Sequence, residues 1–183
     1  MRLFIIALCL LPNAAPAAPC IRFSGNRFCL AWVGGNKRVT LNEYVQPGET
    51  VRHWTKMITV RQYSKPLTFK EIAIPYIKAR SSLFALKPQI FENSKSGHKR
   101  DVIVIMWLLA PDRSHYENIF ARFVIDKNRP AKMIVFSVWV PYSARSNVSY
   151  EVQHADSWLA ALGDFDPVEY PQKTTVTSSA TSR

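Results

Sequence analysis

The sequence is poor in the residues that most often advertise chemistry. Its 4 histidines, His53, His98, His115 and His154, include no i, i+4 pair and no H-x-H, so the spacing offers no metal site. Its 6 glycines form no phosphate-cradling loop, and Gly34-Gly35-Asn36 reads as a turn. No G-x-S-x-G elbow is present. Acidic residues number 13 against 24 lysines and arginines, and they are scattered. A converging carboxylate pair of the glycosidase kind is therefore not visible. The densest acidic stretch, Asp164, Asp166 and Glu169 beside Pro167, is too sparse for calcium and reads as a solvated turn. His115 stands in PDRSHYE with Asp112, Ser114 and Glu117. Triads are recognised by geometry and not by closeness in sequence, so a polar turn is the expectation there. No cofactor and no catalytic residue is indicated.

Long apolar runs are also missing. Leu3 to Leu11 is apolar but too short to span a bilayer, which takes ~20 residues, and no longer run follows. Met1-Arg2 supplies a charged start, and Ala15-Pro16-Ala17 fits a small-x-small cleavage site. The segment 1–17 is expected to be a signal peptide, cut after Ala17, which sends the protein to the periplasm or outside the cell. No transmembrane segment is expected after that cut.

Cysteine is scarce too: there are 3, and Cys9 leaves with the signal. Lipid attachment at Cys20 would want a small residue directly before it, and Pro19 stands there. Cys20 and Cys29 remain, an even number in an oxidising compartment, which predicts one disulfide. Zinc would need more ligands nearby, and a redox pair would favour C-x-x-C. Ile21-Arg22-Phe23 and Arg27-Phe28 flank the turn triplet Ser24-Gly25-Asn26, so the bridge staples a β-hairpin.

What the chain does have is positive charge, apolar strands and two helical patterns. The net charge of +11 suggests an anionic partner, either an envelope component such as phospholipid surface or acidic polysaccharide, or an acidic protein. Export argues against nucleic acid. Residues 18–169 are expected to form one domain, large enough to bury ~70% of its unfolded surface. Residues 170–183, rich in Ser and Thr, read as a disordered tail.

Val39, Leu41 and Val45 alternate with polar residues as in a half-buried strand. QPGET (Gln46 to Thr50) ends it, VRHW reads as a helical turn capped by Thr50, and KMITVRQY starts the next strand. Thr68 and Glu71 make a T-x-x-E capping box. Behind it Phe69, Ile72, Ala73, Tyr76, Ile77, Leu83 and Phe84 recur at helical spacing, with Pro75 inside and Arg80 expected to carry its head to water. Four strands follow, over Pro88 to Asn93, Asp101 to Ala110, Glu117 to Lys127 and Ala131 to Tyr142. Val102 to Leu109 is apolar on both faces, which reads as a central, doubly covered strand. A last helix runs over about Ser149 to Leu162. The fold class is α+β: an antiparallel meander with two main helices, sandwich-like in α/β/α layers, preceded by the stapled hairpin.

GETVRHWTKMITVRQY resembles a stretch of exported bacterial proteins of unassigned function, in which a Gly-Glu turn, a Trp-Thr-Lys triplet and a MITV strand precede a helix. The order of elements is similar to that of PsbP-like and DcrB-like sandwiches. These resemblances imply a small, exported, mostly non-enzymatic protein and supply no catalytic residues.

Two surfaces are candidates for contact. One is the turn with Arg52, His53, Trp54 and Lys56, in which Trp54 serves either recognition or, as a buried anchor, the fold. The other is a basic rim. Lys95, Lys99 and Arg100 lie between the first and second meander strands, and Lys127, Arg129 and Lys132 in or beside the loop between the third and fourth. Alternate loops of a meander emerge at one end, so these should share a rim. The function expected is a non-enzymatic interaction protein of the envelope, or one associated with secretion or conjugation, that contacts an anionic partner. The alternative is a secreted hydrolase or effector whose site assembles only in three dimensions.

Overall fold

The computed structural model describes residues 18–93, 101–142 and 147–167, and the side chains of all of these except 147–153. The expected signal segment, the tail, and Lys95, Lys99 and Arg100 lie outside the described residues. The elements are β1 (Cys20–Phe23), β2 (Asn26–Asn36), β3 (Val39–Val45), β4 (Lys56–Tyr63), α1 (Phe69–Lys78), β5 (Gln89–Glu92), β6 (Val102–Leu109), β7 (His115–Val124), β8 (Lys132–Pro141) and α2 (Asn147–Asp164). They build an α+β fold on one 8-stranded sheet in the order β1-β2-β3-β4-β8-β7-β6-β5, every neighbouring pair antiparallel.

Two meanders are therefore zipped together where β4 meets β8, from Lys56↔Val138 to Gln62↔Lys132. The period-2 alternation of strands sends one set of side chains to each face. Ile134, Phe136 and Val138 join Phe120, Ile103 and Ile105 on one face, under Trp158 and Leu162 of α2. Met133 and Val135 join Ala121, Phe123, Val104 and Met106 on the other, under Ile72, Ala73 and Tyr76 of α1. The result is helix, sheet, helix.

The doubly apolar strand β6 is not central; it is second from the edge, beside β5, all four residues of which are exposed. Its pattern reports cover on both faces, which α1 and α2 provide, and not distance from the edge. Gly34-Gly35-Asn36 is the end of β2 and not a turn. Gly35 has φ +126, and a Cβ there would meet the Val39 carbonyl oxygen, so only glycine suits the close of this hairpin.

The hairpin staple is as expected: Cys20 and Cys29 are register partners in β1 and β2 and are joined by a disulfide. It also carries core. Phe23 packs at 4.8 Å from Phe136 and 5.3 Å from Phe165, ring centre to ring centre, and Phe28 is fully buried.

α1 starts on the capping box. Glu71 N donates to Thr68 Oγ1 at 3.3 Å, and Thr68 N donates back to Glu71 Oε2 at 2.7 Å. The helix ends at Lys78, earlier than the apolar recurrence through Phe84 suggests. Pro75 has no N–H, so the carbonyl of residue 71 gains no helical bond there, while Ala79 N closes the last turn by donating to the Pro75 carbonyl at 3.0 Å. Leu83 reaches the core from a short 3-10 turn, and Phe84 bridges to Leu108 at the sheet. Arg80 does not send its head to open water. It folds back over the Tyr76 ring at 3.9 Å.

α2 is tied down at its C-terminal end by a buried arginine. Arg122 of β7 is 1% exposed. Its Nε and Nη2 meet Asp101 Oδ2 at 2.8 and 2.6 Å, and its Nη1 donates to the carbonyls of Leu162 and Phe165 at 3.0 and 2.8 Å. Asn93 adds a bond to the Gly163 carbonyl at 3.0 Å. Carbonyls at a helix end lack intrahelical donors, and a guanidinium supplies several in a rigid fork. Among the described residues, no helix is long and apolar enough to cross a membrane.

Candidate functional site

The residues between β3 and β4 form two tight turns in succession. In Gln46-Pro47-Gly48-Glu49 the Glu49 N–H donates to the Gln46 carbonyl at 3.0 Å, and Gly48 takes φ +88. Proline then glycine at these positions is the chemistry of a type II turn. Thr50 and His53 next exchange both backbone hydrogen bonds, each 3.0 Å. VRHW is thus the tip of a narrow hairpin and not a helical turn, although Thr50 Oγ1 does accept from His53 N at 3.2 Å. Two reciprocal bonds satisfy the backbone better than one turn of helix, whose nucleus is costly.

Glu49 holds the two turns together. Its Oε1 accepts from Thr55 N at 3.0 Å and from Thr55 Oγ1 at 2.6 Å, while Oε2 accepts from Gln46 N at 3.3 Å. Trp139 N donates to the Thr55 carbonyl at 2.8 Å, which binds the turns to the end of β8. His115, at the start of β7, lies against Trp139 with ring centres 4.8 Å apart. Together Glu49, Arg52, His53, Trp54, Thr55, His115 and Trp139 line an open cleft of about 530 Å³.

The cleft offers aromatic and cationic surface. Glu49, its carboxylate, is engaged by the turn. Arg52 and His53 are exposed, whereas Trp54, His115 and Trp139 are half-buried. Trp54 is therefore a cleft wall and not the buried anchor of the turn. Lys56 is separated from the other residues of the expected recognition turn. As the first residue of β4 it faces α2, with Nζ 5.6 Å from the centre of the Trp158 ring. Strand alternation splits it from the cleft.

Asp112, Ser114 and His115 do make a hydrogen-bonded chain at the cleft edge. Ser114 Oγ donates to Asp112 Oδ1 at 2.7 Å and lies 2.8 Å from His115 Nδ1. The order is wrong for a triad. The serine stands between acid and imidazole, whereas nucleophile activation needs the imidazole between serine and acid. Ser114 N also donates to Asp112 Oδ1 at 3.0 Å, and the two bonds from Ser114 hold the Asp112 carboxyl below its usual range. The polar-turn reading accounts for all of this. Among the described residues, no group of three His, Cys, Asp or Glu side chains is placed to hold a metal ion.

The rim lies at the opposite end of the sheet. β7 runs from His115 at the cleft to Val124, and the register Glu92↔Val102↔Phe123↔Met133 places the β5–β6 and β7–β8 connections at one end. Lys127 and Arg129 are exposed there. Arg129 is 84% exposed, with Asp126 a loose 4.0 Å away. Lys132 is not a free rim charge. It lies in β8 with its side chain 16% exposed, paired to Asp166 at 3.2 Å. Lys95, Lys99 and Arg100 fall outside the described residues.

Arg52, His53 and Trp54 are neighbours in the chain, and the sequence marks them as one turn. Nothing in the sequence joins them to His115 and Trp139. Those two come from strand ends far along the chain, and only the β4–β8–β7 pairing brings them across. A family model matches residues 14–124, more than half of the 183-residue chain. No match was found among curated proteins or among solved structures.

Proposed function

The chain belongs to that family of bacterial proteins, and on this premise we propose that it is an exported, non-enzymatic binding protein of the cell envelope that holds an anionic partner in the cleft. The observation that carries the reading is the convergence of Arg52, His53 and His115 with the indoles of Trp54 and Trp139 around about 530 Å³, while Glu49 is engaged by Thr55 and Gln46. Aromatic faces pack against the apolar face of a ring, and cations beside them take its acidic group. A cleft of this kind admits a sugar ring and not a bilayer, so an acidic polysaccharide is the partner class. The disulfide supports an oxidising compartment, periplasmic or extracellular. The net charge of +11 supports attraction of a polyanion over distance.

The rim is the second place for the same partner, favoured by the exposure of Lys127 and Arg129.

The experiment is a binding titration with polygalacturonate at ~0.1 M salt, repeated at ~1 M, where the screening length falls from ~10 to ~3 Å. Binding should be lost at high salt. Arg52→Glu with His53→Glu should abolish it, and Lys127→Glu with Arg129→Glu should weaken it no more than a control pair, Lys70→Glu with Lys78→Glu. Loss only in the rim pair moves the site to the rim. Equal loss in all three pairs leaves net charge alone and ends both readings. Binding to anionic phosphatidylglycerol vesicles in preference to polygalacturonate overturns the polysaccharide assignment.

A further inference from the structure

The face that carries α1 holds a second cationic cluster, away from the cleft. Arg61 of β4 places its guanidinium carbon 5.4 Å from the centre of the Tyr76 ring. Arg80, just past α1, places its own 3.9 Å from the same ring and donates from Nη1 to the Tyr76 carbonyl at 3.2 Å. Both arginines are half-buried. Among the described residues neither forms an ion pair. Arg61 Nε is buried without a hydrogen-bond partner.

Such an arrangement is costly as it stands. Two like charges share one ring, and a buried N–H without an acceptor forfeits its hydration. Tyr76 does not neutralise them as a phenolate. Its burial pushes its pKa up to about 12, with Arg80 and Arg61 pulling the other way. The acidic groups that face the cluster are Glu43, which feels Arg61, and Glu117, which acts on Tyr76; Tyr63 also feels Arg61. None of them accepts from the buried Nε.

We infer that Arg61 and Arg80, converging on Tyr76, form an oxyanion-binding site distinct from the cleft. The ligand is a single sulfate, phosphate or carboxylate group, because guanidinium forks bind the paired oxygens of such groups and the orphan Nε–H supplies a further donor. The site is independent of the cleft. Arg61 pairs with Met133 in the β4–β8 register, six residues from Trp139 along β8, or about 20 Å at ~3.4 Å per residue.

The test is an NMR titration of the full ¹⁵N-labelled chain with sulfate, following the arginine Nε–Hε signals. Saturable movement of the Arg61 and Arg80 signals is expected. Arg61→Gln should weaken the apparent affinity at least tenfold, and Arg61→Lys, which keeps charge but loses the fork, should weaken it less. Arg80→Gln gives a second reading should Arg61→Gln fail to fold, as judged by circular dichroism. Arg52→Glu in the cleft should leave the titration unchanged, which separates this site from the proposed function. Acetate and phosphate run in parallel identify the preferred oxygen geometry. Linear, unsaturated drift with all three anions overturns the inference, as does saturation that survives both Arg61→Gln and Arg80→Gln.

Discussion

Replacing Arg122 by methionine should be the most damaging single change outside the aromatic core. The side chain is 1% exposed and binds Asp101 through two nitrogens, at 2.8 and 2.6 Å. Removing one partner of a buried ion pair costs ~3–5 kcal/mol, because the other charge stays behind without it. The carbonyls of Leu162 and Phe165 lose their donor as well, at 3.0 and 2.8 Å in the parent. Water can replace that donor at Phe165, where the bond is only part-buried, so the middle of the range is the figure to expect: about 4 kcal/mol. Against a total stability of ~5–15 kcal/mol that is a large share. With a urea dependence of ~2 kcal/mol per molar, the unfolding midpoint should fall by about 2 M. The double variant Arg122→Met with Asp101→Leu removes both charges and should regain much of the loss, since an apolar pair of similar volume often serves as well as a buried ion pair. The assay is urea unfolding followed by circular dichroism, with hydrogen exchange at the end of α2 as the local readout. A loss below about 1 kcal/mol for the single variant, or a double variant no better than the single, would refute the view that this pair holds α2 to the sheet.

Trp54→Ala should cost only about 1 kcal/mol of stability, the centre of ordinary point-mutant effects, because the indole is a half-buried cleft wall; a loss of ~3–5 kcal/mol in unfolding experiments would return it to the role of buried anchor. The same variant should lose polygalacturonate binding while it keeps its fold. Cys20→Ser with Cys29→Ser should lower stability by ~2–3 kcal/mol, because it frees the β1–β2 hairpin that carries Phe23 and Phe28; a native protein with two alkylatable thiols would contradict the staple. Burial raises the Glu43 carboxyl above its ordinary 4.5, with Arg61 opposing. The folded state thus holds this proton more tightly than the unfolded state, so the group's contribution is most favourable below 4.5 and declines as pH rises through the raised value. Glu43→Gln should therefore flatten the pH dependence of the thermal midpoint in that window, and an unchanged profile would show that Glu43 is not desolvated in solution.

Much of the fold is local and therefore legible in the sequence. Alternation over Val39 to Val45 marks a strand because side chains repeat every second residue, and the β-rich composition of Lys56 to Tyr63 marks the next. The Thr68–Glu71 box marks the start of α1 because two orphan backbone donors find partners three residues apart. Cys20 and Cys29 need only a short turn between them to face each other. The tertiary structure alone decides the rest. No pattern within β4 says that it pairs with β8, 70 or more residues later, yet that pairing joins the two meanders. It also carries Trp139 to the Thr55 carbonyl and so makes a cleft wall of a strand residue. As an interruption of the apolar helical stripe, Arg80 reads as a charge whose head goes to water, and Lys56 reads as a neighbour of Trp54; the fold gives each a different ring, Tyr76 and Trp158. Chain adjacency sets neither the face on which a strand residue emerges relative to a turn nor the ring on which a long side chain comes to rest. Both depend on strand order and packing, which are properties of contacts between segments distant in sequence.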